Sequence, residues 1–132
     1  MRNFSRIFVV LLFLSIASVV NAQKEAVIKF ETETIDLGDI PRNGKKSTVF
    51  KFKNTGKSNL VINSVSASCG CTTVKFTKDV VKPGATGEIK VNFNSHGERR
   101  GKFIQHLSVV SNGNPPKINL IIKGNIVLVQ RK

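Results

Sequence analysis

From residue 26 onward, apolar and polar positions alternate with a period of two, the repeat of a strand with one buried and one wet face. The stretch 47–54 sends Phe50 and Phe52 to one side and Lys51 and Lys53 to the other. In 87–93, Ile89, Val91 and Phe93 alternate with Glu88, Lys90 and Asn92. Near the end, Ile118, Leu120 and Ile122 alternate with Asn119 and Lys123. The segments 26–30, 34–38 and 103–111 read as further extended pieces. No stretch of useful length carries the 3.6-residue repeat of a helix.

Turn chemistry separates these segments at fairly even intervals. Pro41-Arg42-Asn43-Gly44, Asn54-Thr55-Gly56-Lys57, Lys82-Pro83-Gly84, Asn94-Ser95-His96-Gly97 and Asn112-Gly113-Asn114-Pro115-Pro116 each place Gly, Asn or Pro where a tight reversal needs them. Short alternating strands with regular turns predict an all-β, immunoglobulin-like antiparallel β-sandwich of about seven strands. Its core should hold Phe50, Phe52, Leu60, Ile62, Ile89, Val91, Phe93, Leu107, Val109, Leu120 and Ile122. With two cysteines and no Trp, the chain lacks the inter-sheet Cys…Trp…Cys set of antibody domains.

Residues 1–22 break this pattern. Arg2 and Arg6 precede an apolar run from Ile7 to Val20, and Val20-Asn21-Ala22 puts small residues before Gln23. This is the layout of a cleaved signal peptide, and the run falls short of the roughly 20 residues of a spanning helix. The expectation is a single domain at 23–132, periplasmic or secreted and not an integral membrane protein after cleavage. Such a compartment permits disulfides. Losing Arg2 and Arg6 leaves 19 of 21 basic side chains against 8 acids, a net charge of +11. A domain this cationic is drawn to anionic cell-envelope components or acidic proteins, in a salt-dependent way. Nucleic acid does not fit: there is no Trp or Tyr, and the basic residues are not interleaved with stacking aromatics. The same lysines also fit solvated strand faces and protected sheet edges.

The only two cysteines stand in Ser68-Cys69-Gly70-Cys71-Thr72. In a regular strand, side chains two residues apart have Cβ atoms about 7 Å apart, beyond the reach of a disulfide. Bonding Cys69 to Cys71 therefore needs a bend at Gly70, expected through positive φ, and gives a short, labile, redox-active ring. Two other readings stay open. Cys69 and Cys71 could hold Cu(I) or Zn(II), with His96 or His106 as a third ligand. They could also be small buried thiols beside a bulge at Gly70.

Other candidate chemistry is sparse. His96 sits in a turn, and His106 falls on the strand side opposite Phe103, Leu107 and Val109. Neither has the carboxylate neighbour that orients a catalytic imidazole. The eight acids form no cluster along the sequence. Arg99, Arg100 and Lys102 are the one local concentration of positive charge, a hairpin tip or an anion-binding site. No HExxH, P-loop, GxSxG or GxGxxG signal is present, so no enzyme is expected.

The run Phe50 to Gly56, then Leu60-Val61-Ile62, Ser68-Cys69-Gly70-Cys71-Thr72, Pro83-Gly84, Gly87-Glu88-Ile89-Lys90-Val91 and Gly124 resembles the bacterial domain-of-unknown-function 1573 family. The resemblance implies an exported immunoglobulin-like domain, distantly similar to Hydin-type and PapD-like domains. It implies no activity. The expected function is an exported binding or scaffolding module that contacts an anionic or protein partner at the cell envelope. The alternative is a thiol–disulfide or Cu(I)/Zn(II)-handling protein built on Cys69-Gly70-Cys71.

Overall fold

A computed structural model of the protein describes residues 24–129. The expected signal segment and its cleavage point before Gln23 lie outside those residues. Eight strands form two four-stranded sheets, with no helix among the described residues. They are β1 (Ile28–Phe30), β2 (Thr34–Pro41), β3 (Lys45–Asn54), β4 (Ile62–Ala67), β5 (Thr72–Phe76), β6 (Thr86–Asn94), β7 (Gly101–Ser111) and β8 (Lys117–Val127). One sheet has the order β1-β3-β6-β5 and the other β2-β8-β7-β4. This is the immunoglobulin arrangement with its first strand split between the two sheets.

The split accounts for both departures from the sequence reading. Phe30 ends β1 in one sheet, and the chain crosses at Glu31-Thr32-Glu33 to begin β2 in the other without reversing direction. Seven strands thereby become eight. It also makes β2 parallel to β8, whereas every other pair of these strands is antiparallel. A register shift between Asp36 and Asp39 sets Leu37 and Gly38 against Gly124 alone. Gly38 takes φ +68 there, and its N–H is held by Asp36 Oδ1 at 2.8 Å. A Cβ at Gly124 would press on the Phe103 ring at 2.8 Å.

All eleven core residues read from the alternation are buried, joined by Ala26, Ile28, Phe30, Leu37, Ile40, Val81, Ile118 and Ile126 in one cluster. Phe93 of β6 stacks on Phe103 of β7, with centroids 4.4 Å apart and planes 7° apart, tying the two sheets together. Asn54, fully buried at the end of β3, is the main polar element. Its Oδ1 accepts from the N–H of Val27 (3.3 Å) and Gly56 (3.0 Å), and its Nδ2 donates to Ser58 O (2.7 Å) and Val81 O (2.9 Å). One side chain thus fastens four backbone groups at that end of the sandwich, and no buried side-chain polar atom is left unpaired among the described residues.

Candidate functional site

β4 ends the edge of one sheet and β5 begins the edge of the other, so the chain must cross between sheets at residues 68–71. The cysteines occupy that corner. A turn closes where Thr72 N–H donates to Cys69 O at 3.3 Å, and Cys71 N–H donates to Cys69 Sγ at 3.0 Å. The Cα atoms of residues 69 and 71 come to 5.3 Å, closer than the ~6.6 Å of a regular strand, and the two sulfurs are bonded. Gly70 makes this possible without positive φ: among the described glycines that conformation belongs to Gly38, Gly84, Gly97 and Gly101. The expected left-handed bend at Gly70 is thereby corrected. The reversal is shared across a four-residue turn, whose type I form needs no φ above zero.

Backbone pairing holds both flanks of the corner. Asn94 N–H donates to Cys71 O at 2.9 Å, and Ser68 N–H to His106 O at 2.9 Å. The bond therefore closes a loop inside one turn and joins no elements that the ladders do not already hold. Cys69 and Cys71 are half-buried, while Gly70 is exposed and a Cβ placed on it would meet nothing within 4 Å.

The segment between β6 and β7 supplies the third group. Because β6 and β7 lie in different sheets, this segment is a second crossing, not the hairpin tip expected around Arg99 and Arg100. Ser95, fully buried, anchors it: its Oγ donates to Pro41 O at 2.7 Å and accepts from Gly44 N–H at 2.9 Å. The crossing then carries Glu98 back over the cysteine corner, with Oε1 at 3.8 Å from Cys69 Sγ. One ligand-type atom each from Cys69, Cys71 and Glu98 fall within 4.8 Å of one another. Neither His96 nor His106 belongs to this cluster. The bonded sulfurs would have to be reduced before they could bind Cu(I) or Zn(II). Two thiolates and a carboxylate then offer three donors, short of the four of a closed zinc site.

An open groove of about 640 Å³ runs beside the corner, lined by Lys45, Gly70, Cys71, Thr73, His96 and Glu98 among others. Cys71 lines it and Cys69 does not. His96 is exposed on its rim, whereas His106 is exposed on the outer face of β7. Arg99 and Arg100 are exposed on the crossing, and Lys102 faces out from β7 opposite Asn125. These three do not converge on the groove.

A second feature becomes visible only with the strand register. The outer face of the β1-β3-β6-β5 sheet presents Lys29, Lys45, Lys51, Lys53, Lys75 and Lys90, all exposed. Lys29 stands directly opposite Lys53, and Lys75 directly opposite Lys90. Glu31 and Glu88 flank Lys51, and the single ion pair among the described residues, Lys90 Nζ to Glu88 Oε1 at 3.2 Å, lies on this face.

Sequence reasoning passed over Glu98 and Ser95, because their partners lie tens of residues away. It also leaves the lysines as solvated strand faces and sheet edges, without aligning them. Each lysine alternates with a buried residue, a signal that was present, but only strand pairing aligns them into one surface.

In fold, the chain is similar to a protein of unknown function from Porphyromonas gingivalis W83, with a TM-score of 0.69 at 16% identity over 83% of this chain. It spans half the length of that structure. It is also similar to the ASH/PapD-like domain 7 of human CEP192, with a TM-score of 0.66, 8% identity, 86% of this chain and 94% of that one. The CupB2 chaperone of Pseudomonas aeruginosa gives 0.57 at 8% identity over 74% of this chain and 55% of its own. Among curated proteins none matches the chain in sequence. Among the described residues no helix is long and apolar enough to cross a membrane. A family model covers residues 28–126, nearly the whole sandwich, and the chain belongs to the family it describes, the protein of unknown function DUF1573.

Proposed function

We propose that the protein is an exported, non-enzymatic binding module that docks on an anionic surface of the cell envelope through the outer face of the β1-β3-β6-β5 sheet. The observation that carries this reading is a pair of lysine–lysine juxtapositions, Lys29 with Lys53 and Lys75 with Lys90, of which, among the described residues, only Lys90 has an acidic partner, Glu88 at 3.2 Å. Like charges directly opposite on a sheet destabilise it, so the fold by itself gives no reason for them. Protection of exposed edges explains Lys29 and Lys75, on the edge strands β1 and β5, but not their partners Lys53 and Lys90 on the central strands β3 and β6. An anionic partner removes the repulsion and gains from the concentrated field.

The face spreads six lysines over four strands, suited to a layer of anionic head groups or glycans. Nucleic acid is disfavoured because, among the described residues, the well-exposed large apolar side chains are Val49, Val80, Ile104, Leu128 and Val129, all aliphatic and none a stacking platform. PapD-like and chaperone folds among the structural neighbours are compatible with a binding module.

Co-sedimentation of the mature protein with vesicles tests the reading. Binding is expected to vesicles containing anionic lipid, to be weak on zwitterionic ones, and to fall steeply as salt shortens the Debye length from about 10 Å at 0.1 M to about 3 Å at 1 M. Equal binding to both vesicle types, or binding indifferent to salt, refutes it. Capture of an acidic protein with no affinity for anionic vesicles would replace the surface by a protein partner.

A further inference from the structure

We infer that Cys69 and Cys71 form a thiol–disulfide exchange site for a protein dithiol, entered at Cys71 and modulated by Glu98. Four observations converge. The bond spans a separation of two residues within one turn, so opening it releases no strand from its ladder. Cys71 lines the open groove, which leaves that end of the bond open to an incoming sulfur, while Cys69 does not line it. Glu98 Oε1 stands 3.8 Å from Cys69 Sγ and its carboxylate lies within 4.8 Å of Cys71 Sγ, so its negative charge opposes a thiolate at either sulfur and opposes it most at the nearer Cys69. Lys45 lies across the same groove and favours the approach of an anionic sulfur to Cys71.

The exchange balances as follows. A thiolate of the partner attacks Cys71 Sγ, the Cys69–Cys71 bond breaks, and Cys69 leaves with the electron pair and takes up a proton. The partner's second thiol loses its proton and attacks the partner sulfur of the mixed disulfide, releasing Cys71, which is protonated in turn. The partner dithiol has become a disulfide, and the chain has gained two electrons and two protons as two thiols. At the 3.8 Å separation of the bonded state, a thiol formed on Cys69 is within donating distance of Glu98 Oε1. During opening, the same carboxylate resists the charge that builds on departing Cys69. Glu98 is thus a positioning residue that slows opening and receives the proton-bearing thiol.

The full mature chain is treated with dithiothreitol, quenched with iodoacetamide at timed intervals and analysed by mass spectrometry, with circular dichroism recorded in parallel. Opening is expected while the β-sheet signal is unchanged. Glu98→Gln should open roughly five-fold faster, the effect of one charge about 4 Å away in well-hydrated surroundings. In a separate arm oxidised glutathione is the probe. Cys69→Ser, which leaves the groove-facing sulfur, should form the mixed disulfide several-fold faster than Cys71→Ser, and adding Glu98→Gln to Cys71→Ser should narrow the gap. A bond that opens only in denaturant, an opening rate unchanged by Glu98→Gln, or equal capture on the two single cysteines overturns the proposal. None of these readouts involves an anionic surface, so they stand or fall separately from the lysine-face reading.

Discussion

On the outside of the β1-β3-β6-β5 sheet, six lysines stand with only Glu31 and Glu88 beside them, a local charge of +4. On the outside of the β2-β8-β7-β4 sheet, Lys102, Lys117 and Lys123 stand beside Asp36 and Asp39, a local charge of +1, among Ser64, Ser66, Ser68, Ser108 and Asn119. There Asp36 is aligned with Lys123, and Asn125 Nδ2 donates to Asp39 Oδ1 at 3.0 Å. Among the described residues the second face sets no two lysines directly opposite each other, whereas the first, although it holds the Lys90–Glu88 ion pair and sets Lys51 opposite Glu88, also sets Lys29 opposite Lys53 and Lys75 opposite Lys90. Both faces rest on one core, so fold stability does not require the difference. Where a sheet retains repulsion that its twin avoids, an external partner is the economical physical explanation.

The largest effects should come from the support common to both faces. Phe93→Ala removes the ring stacked on Phe103 between the sheets and should cost about 3–5 kcal/mol in denaturant unfolding. An unchanged midpoint would put Phe93 outside the core and dissolve the premise that the faces share it. Asn54→Ala should cost about 3 kcal/mol, because it strips partners from two backbone N–H and two C=O groups at a buried position. A loss below ~1 kcal/mol would mean that water replaces the side chain there.

At the seam between the faces the expected effects shrink. Cys69→Ser with Cys71→Ser should lower stability by no more than about 1.5 kcal/mol, the closure term of a three-residue loop. A larger loss measured by urea titration would make the bond a structural staple. Smallest of all, and opposite in sign, Lys53→Glu should raise stability by roughly 0.2–1 kcal/mol by giving Lys29 a cross-strand partner, while weakening vesicle binding. Stabilisation without weaker binding would separate the lysine pairs from function.

The fold was legible because period-two alternation reports burial directly. Phe50 and Phe52 between lysines, and Ile89, Val91 and Phe93 between polar residues, need no tertiary information to be assigned inward. The parallel β2–β8 pair was not legible, since alternation gives the face of a strand and never its neighbour. The candidate site divides in the same way. Cys69-Gly70-Cys71 stood out as the only cysteine pair, yet Glu98 joins it across 29 residues of sequence through a crossing anchored by Ser95, and nothing local announces that contact. Gly70 pointed to a tight bend but not to its conformation, because a glycine supports turns on either side of φ = 0. Lys29 opposite Lys53 is a fact of register, which turn spacing and long-range pairing decide together.

Two variants matched in charge test the face-specific reading most directly. One carries Lys51→Gln, Lys53→Gln and Lys90→Gln on the first face, and the other Lys102→Gln, Lys117→Gln and Lys123→Gln on the second. Each removes three positive charges, so their net charges are equal. Anionic-vesicle binding at about 0.1 M salt should drop at least ten-fold in the first and stay within about two-fold of the parent in the second. An equal drop in both would make binding a matter of total charge alone and contradict a dedicated lysine face.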